Sequence, residues 1–230
     1  MNNDWPKLKL NFEEKKIIIL APHMDDEVIG CGGVISKLVS QNKDVYVVFM
    51  TDGTKGTTGN KSNNSLLHTR HEEAMKVKEI FGLKDIYFLN LEDRGEWNVN
   101  ETLSRLSDIF SDIEPDAVFV TPSNDLHEDH RKTNGLLKKF IESGGYKNSV
   151  YIYEVWTPIN PNRIVNITKF IEKKIKAINS CESQLGVINY RKMLQSLSAY
   201  RACFIPIDGI DYAETFIEMS SDEFIAEEEL

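Results

Sequence analysis

The 230-residue sequence predicts an α/β fold, a mainly parallel sheet flanked by helices on both faces. Two observations carry this expectation. Short apolar, β-branched runs recur along the chain, of the kind that fills strands buried on both faces. Segments with helical spacing of apolar residues alternate with them four times over, which calls for parallel strands joined by right-handed crossovers.

The elements follow in order. KKIIILAP (15–22) is the first strand, and DEVIGCGGVISKLVSQNK (26–43) continues as a helix through Val28, Ile29, Val34, Ile35, Leu38 and Val39. DVYVVFMTDG (44–53) is a second strand stopped by Asp-Gly. The polar loop TDGTKGTTGNKSNN (51–64) is long for a simple connection and reads as a surface loop or a substrate-facing lid. SLLHTRHEEAMKVKEIFGL (65–83) is a helix, capped by Ser65 and closed by Gly82. DIYFLNL (85–91) and PDAVFVTP (115–122) are the third and fourth strands, with a helix over 101–113 between them and another through Ile141. Strands at 149–156 and 162–169 and helices at 168–184 and 190–204 complete a less regular remainder. No repeat or linker interrupts the chain. Residues 1–230 therefore read as one domain, with an α/β core over 1–145 and a strand/helix extension over 146–230.

Composition narrows the function. Lys and Arg number 27 against 36 Asp and Glu, a net charge of −9, so no basic excess is available to neutralise phosphates. The basic stretch KFIEKKIK (169–176) reads as a solvated helix face, and no nucleic acid is expected as a partner. No apolar run nears the ~20 residues that span a bilayer, and the first sixteen residues lack the apolar core of a signal peptide. Cys31, Cys181 and Cys203 lie far apart, which suits a reducing compartment and speaks against a cysteine-ligated metal. The cytoplasm is the expected location.

Chemistry concentrates at two strand ends. His23, Asp25, Asp26 and Glu27 follow the first strand, and HEDH (127–130) follows the fourth. In doubly wound sheets these strands are commonly neighbours, and ligands gather at their carboxyl edge. Two imidazoles and a carboxylate make an open Zn²⁺ site, and a spare acid and a spare His beside it would suit hydrolysis of an amide or ester. The competing reading makes Asp25 or Asp26 the N-cap of the following helix and lets His127 cap its own turn. The glycines of GCGG (30–33) do not form G-x-G-x-x-G, and acids occupy the turn where a pyrophosphate would sit, so they read as packing residues. Arg70, in HTRHEEA, offers a planar fork for sugar hydroxyls or for an acid if it faces the pocket.

These residues resemble a known family, the PIG-L/LmbE-like zinc-dependent N-deacetylases, in its soluble bacterial branch. APHMDDE is similar to A-H-P-D-D-E, DLHEDH (125–130) to D-x-H-P-D-H, and RHEEA (70–74) to R-x-x-E-A. KIKAINSCESQ (174–184) is similar to K-x-x-A-x-x-x-H-x-S-Q with Cys181 in the His place, and GIDYAETF (209–216) to G-x-x-Y-A-E-x-F. The resemblance implies a Rossmann-like fold and Zn²⁺ held by His23, Asp26 and His130. It implies Asp25 as general base and His127 as stabiliser of the tetrahedral intermediate or helper of the departing amine. Asp129 would orient and charge a histidine, Arg70 would face the substrate, and Asp93 would lie near the sugar. Cys181, outside that metal shell, would be a packing residue. The implied reaction removes acetyl from an N-acetylated amino sugar of the N-acetylglucosamine type. Family members are often homo-oligomers, which sets that expectation here. Fe²⁺ is an alternative metal, since two His and one carboxylate also hold iron. An amidase or esterase on a non-sugar acyl group, and a non-catalytic carbohydrate-binding protein, are the alternative functions.

Overall fold

The computed structural model describes residues 5–55, 63–186 and 188–227. In chain order the elements are β1 (Lys7–Leu8), β2 (Lys16–Ala21), α1 (Asp26–Ser40), β3 (Asp44–Thr51), α2 (Asn63–Phe81), β4 (Asp85–Leu91), α3 (Val99–Ile113) and β5 (Ala117–Val120). They continue with α4 (Glu128–Glu142), β6 (Ser149–Tyr153), β7 (Arg163–Asn166), α5 (Ile171–Asn179), α6 (Tyr190–Ala202), β8 (Ala213–Ser220) and α7 (Ser221–Ala226). The eight strands form one sheet in the order β1-β7-β8-β6-β5-β2-β3-β4. All neighbours pair in parallel except β8, which runs antiparallel to both β6 and β7. This is the expected α/β class.

Alternate side chains of each central strand enter two separate cores, as the two-residue period of a strand requires. Ile17, Ile19 and Ala21 of β2 face one core with α1, α2, α5 and α6; Ile18 and Leu20 face the other with α3, α4 and α7. From Ile17 to Ala21 of β2 and throughout β5 the positions are apolar and buried toward both faces, which explains why these strands read as unbroken hydrophobic runs. The expected neighbourhood of the first and fourth long strands is present, with Ile17, Ile18 and Ile19 in register with Ala117, Val118 and Phe119.

The GCGG segment packs rather than binds. A Cβ on Gly30 would lie 2.2 Å from the Tyr153 ring, and one on Gly33 would lie 2.6 Å from Ile167, so α1 sits directly against its neighbours only with glycine there.

Several boundaries differ from the sequence expectations. Helix α2 starts at Asn63, which puts Ser65 within its first turn instead of at its cap. Gly82 ends the helix with φ +72°, as expected. The segment 168–184 is not one helix: α5 stops at Asn179 and a separate 3₁₀ turn occupies Glu182–Gln184. There Ser183 donates from N and Oγ to Glu73, and Gln184 Nε2 donates to the Met24 carbonyl. These bonds to α2 and to the turn after β2 draw the chain out of helix. Strand β8 has no apolar run to announce it, because Glu214 and Thr215 are buried with polar partners. Half of the 51–64 loop, residues 56–62, lies outside the described residues, and the lid expectation with it. Among the described residues, no helix is long and apolar enough to cross a membrane.

Candidate active site

The carboxyl ends of β2 and β5, side by side in the sheet, deliver both clusters to one place. After β2, the Pro22 carbonyl accepts from Thr51 N and Oγ1 (3.0 and 2.8 Å), which pins the turn that carries His23 to Asp25. Asp25 occupies the N-cap position of α1, yet its side chain makes no capping hydrogen bond. Asp26 Oδ2 instead accepts from His23 N at 2.9 Å and lies 3.2 Å from His23 Nδ1 and 3.1 Å from His130 Nε2. Capping alone thus does not account for the paired acids.

After β5, His130 is anchored by its own carbonyl, which accepts from Thr121 Oγ1 at 3.0 Å. His127 is the N-cap of α4 and does cap it, its Nδ1 accepting from Asp129 N at 3.2 Å. A backbone N–H can only donate, so Nδ1 carries the lone pair and the ring proton sits on Nε2. Burial, and then the neighbouring His23 and His130, lower the His127 pKa and keep that ring neutral.

A cavity of about 210 Å³ opens over these groups. His23, Asp25, Asp26, Arg70, Asp93 and His127 line it, while Asp129 and His130 lie behind that lining with no exposure. All eight residues singled out in the sequence therefore belong to one site. The Asp129 carboxylate also reaches a histidine remote in sequence: its Oδ2 lies 3.4 Å from His23 Nε2 and accepts from Arg94 N at 2.9 Å. Asp93 accepts from Lys55 N through Oδ2 and turns a buried, unpartnered Oδ1 to within 3.6 Å of His23 Nε2. Arg70 is 2% exposed, and among the described residues no hydrogen-bond partner meets its Nε. Its guanidinium passes so close to Gly53 that a Cβ there would lie 2.2 Å from Nη1, which is why this turn carries a glycine at φ +62°.

Charge is distributed to suit acid–base work. Burial and the charge of Asp26 push the Asp25 carboxyl up to about 7, against the opposing pull of His23, Arg70 and His130. Asp26 suffers the same burial but is held well below the carboxylate range by His130 and His23. For His130 burial is outweighed by Asp26 and Asp125, which raise it. Glu27, fully buried with both carboxylate oxygens unpartnered, is pushed well above its ordinary value by burial and by Asp25. Cys181 is buried outside the cluster, its Sγ 3.8 Å from the Ala177 carbonyl, in a packing position.

A divalent metal fits here. Tetrahedral bonds of 2.0–2.1 Å put ligand atoms about 3.3 Å apart, and the 3.2 and 3.1 Å separations about Asp26 Oδ2 match. Among the described residues, neither ring nitrogen of buried His130 has a hydrogen-bond partner, and a cation at Nε2 would relieve the cost of that one. Ligating atoms of His23, His127 and His130 also lie within 4.8 Å of one another, as do those of His23, Asp93, His127 and Asp129.

Sequence reasoning missed other lining residues: Arg94, Trp156, Gln184, Ile188 and Tyr190. Four of them come from the C-terminal section, and of these only Gln184 lies within a motif matched from the sequence. It also missed Asp125, whose carboxylate is buried beside His130.

Comparison with known proteins agrees with this geometry. The sequence profile of the PIG-L family, described as GlcNAc-PI de-N-acetylase, matches residues 18–141. The diacetylchitobiose deacetylase of Thermococcus kodakarensis is 29% identical over 187 residues, covering 74% of this chain and 70% of that protein. The structure of N,N'-diacetylchitobiose deacetylase from Pyrococcus horikoshii, complexed with an inhibitor, superimposes with a TM-score of 0.82 at 29% identity, over 92% of this chain and 86% of that one. The 4-carboxy-2-hydroxymuconate hydratase of Pseudomonas putida KT2440 shares the fold (TM-score 0.80, 22% identity, 89% of this chain and 96% of that one) and marks how far the fold alone reaches. With the profile match spanning both metal-type motifs and more than half of its residues, the chain belongs to the PIG-L family.

Proposed function

We propose that the protein is a zinc-dependent hydrolase that removes the acetyl group from an N-acetylated amino sugar conjugate of the N-acetylglucosamine type. The observation that carries this reading is a cavity lined by His23, Asp25 and Asp26 with buried His130 behind it, where Asp26 Oδ2 lies 3.2 Å from His23 Nδ1 and 3.1 Å from His130 Nε2 while Asp25 makes no capping hydrogen bond. His23, Asp26 and His130 would hold the metal. When bound, Zn²⁺ would lower the pKa of water toward ~7 and polarise the acyl carbonyl.

The chain's own residues supply the rest. Asp25 accepts the proton that water gives up as its oxygen bonds to the acyl carbon. The His127 ring, with Nδ1 engaged by Asp129 N, has its Nε2–H to donate to the oxygen that becomes negative in the tetrahedral intermediate. Asp25 then returns its proton to the nitrogen as the C–N bond breaks, leaving acetate and a free amine. Trp156, Ile188 and Tyr190 give the cavity an apolar wall suited to the face of a pyranose ring, and Arg70, Asp93 and Gln184 give hydroxyl partners.

The test is acetate release from a panel of N-acetylglucosamine conjugates by zinc-loaded protein, with and without chelator. Release that the chelator abolishes is expected. A fully metallated protein that releases no acetate from any member would refute the proposal.

A further inference from the structure

Asp125 touches three separate parts of this site. It is 1% exposed and sits three residues before the first residue of α4. Its Oδ1 accepts from His127 N at 2.9 Å and faces His130 Nδ1 at 3.4 Å. Its Oδ2 accepts from Trp156 N and Thr157 N, each at 3.3 Å. One carboxylate thus reaches the cap of α4, the back of a buried histidine, and the loop beyond β6 that carries Trp156 to the cavity wall.

We propose that Asp125 is the positioning residue of the centre: it takes His130 Nδ1–H, so that Nε2 is the ring nitrogen turned toward Asp26, and with its other oxygen fixes the Trp156 wall relative to that histidine. The inference rests on the metal-centre reading above.

A histidine in neutral form offers one nitrogen as donor and one as acceptor, and the partner of the first decides which is left for a cation. His130 has two carboxylates at opposite ring nitrogens, Asp26 at Nε2 (3.1 Å) and Asp125 at Nδ1 (3.4 Å). Asp26 also contacts His23, so the shared point lies on the Nε2 side and Asp125 is the outer partner. The outer contact, at 3.4 Å, falls short of a hydrogen bond, as catalytic-site contacts often do before the ligand engages. Asp125 cannot relax away, because three backbone N–H groups hold its two oxygens. A carboxylate so fixed orients the ring at no further entropic cost. Trp156, tied to the same group, keeps a constant distance from the histidine, which couples substrate placement to the metal.

Zinc affinity, measured by competition with a chromophoric chelator, tests this on folded wild-type, Asp125→Ala, Asp125→Asn and His130→Ala proteins. Asp125→Ala is expected to weaken zinc binding about 10- to 100-fold, and the wild-type zinc complex is expected to show a His130 Nδ1–H by ¹⁵N NMR. Asp125→Asn keeps the shape but offers one acceptor oxygen in place of two. It is expected to lose either zinc affinity or the amide protection of Trp156 and Thr157 in hydrogen exchange. Retention of both in Asp125→Asn, or unchanged zinc affinity in folded Asp125→Ala, overturns the role of Asp125. Wild-type protein that takes up no zinc, or a His130→Ala variant that binds it as tightly as wild type, overturns the metal centre itself and this role with it.

Discussion

Replacing Lys174 with Met tests the tie that holds α1, and with it Asp25 and Asp26, against the rest of the fold. Lys174 Nζ lies 2.7 Å from Glu214 Oε1, with the side chains 2% and 4% exposed. The same carboxylate accepts from Gly33 N at 2.8 Å and Val34 N at 2.7 Å, in the middle of α1. At an effective dielectric of about 20, charges 2.7 Å apart attract by roughly 6 kcal/mol, before the cost of drying both groups is subtracted. Removing Lys174 leaves Glu214 buried and charged, and breaking such pairs typically costs about 3–5 kcal/mol. For a chain of this length that corresponds to a fall in Tm of roughly 6–20 °C. The assay is urea unfolding of metal-free protein, followed by far-UV circular dichroism. Glu214→Gln in the Lys174→Met background should recover part of the loss, because the amide removes the unpaired charge while still accepting from one of the two N–H groups. A loss below about 1 kcal/mol, or strict additivity of the two substitutions, would refute the argument that this is a coupled buried pair.

Other outcomes follow from the same structure. Asp25→Asn should bind zinc as wild type does in chelator competition while acetate release falls by about 10²–10⁴-fold; loss of metal as well would contradict the separation of base from ligands. Gly30→Ala should destabilise by about 1–3 kcal/mol, measured by urea unfolding, since the new Cβ would meet Tyr153. Burial acts to raise the Glu218 carboxyl, but hydrogen bonds from Lys9 and Tyr151 and the charges of Lys9 and Arg163 outweigh it and hold it below 4.5. A lowered acid binds fewer protons folded than unfolded, so its stabilisation is present above pH 4.5 and disappears as the pH falls through the folded value. Unfolding midpoints of Glu218→Gln should therefore decline less steeply than wild type between pH 5 and more acid solution; parallel curves would contradict this. Chelation should lower the Tm of the zinc-loaded protein, with about 4 kcal/mol at stake where free zinc stands at 1,000 times its dissociation constant.

Much of the fold is legible in the chain because its central strands are buried on both faces, which forces unbroken apolar runs such as IIILA and VVFM. Helix α3 declares itself equally well, with Leu106, Phe110 and Ile113 at helical spacing. What escapes is wherever buried positions are polar. Strand β8 places Glu214 and Thr215 inside, and their partners Lys174 and Glu154 are 40 and 61 residues away. The site divides in the same way. Its ligand-type residues lie within two short motifs, whereas Trp156, Ile188 and Tyr190 reach the cavity from segments with no chemical signature of their own.

The sequence by itself determined that a parallel α/β sheet forms and that two His/Asp clusters stand at strand ends, because side-chain periodicity and motif spacing are local properties. Only the tertiary structure decided which atoms meet. Adjacency of β2 and β5 brings Asp26 between His23 and His130, brings the Asp129 carboxylate to His23, and sets Asp125 behind His130. Those contacts span up to 106 residues of chain, and each depends on the register of strands and the entry angle of a helix, which no local pattern encodes.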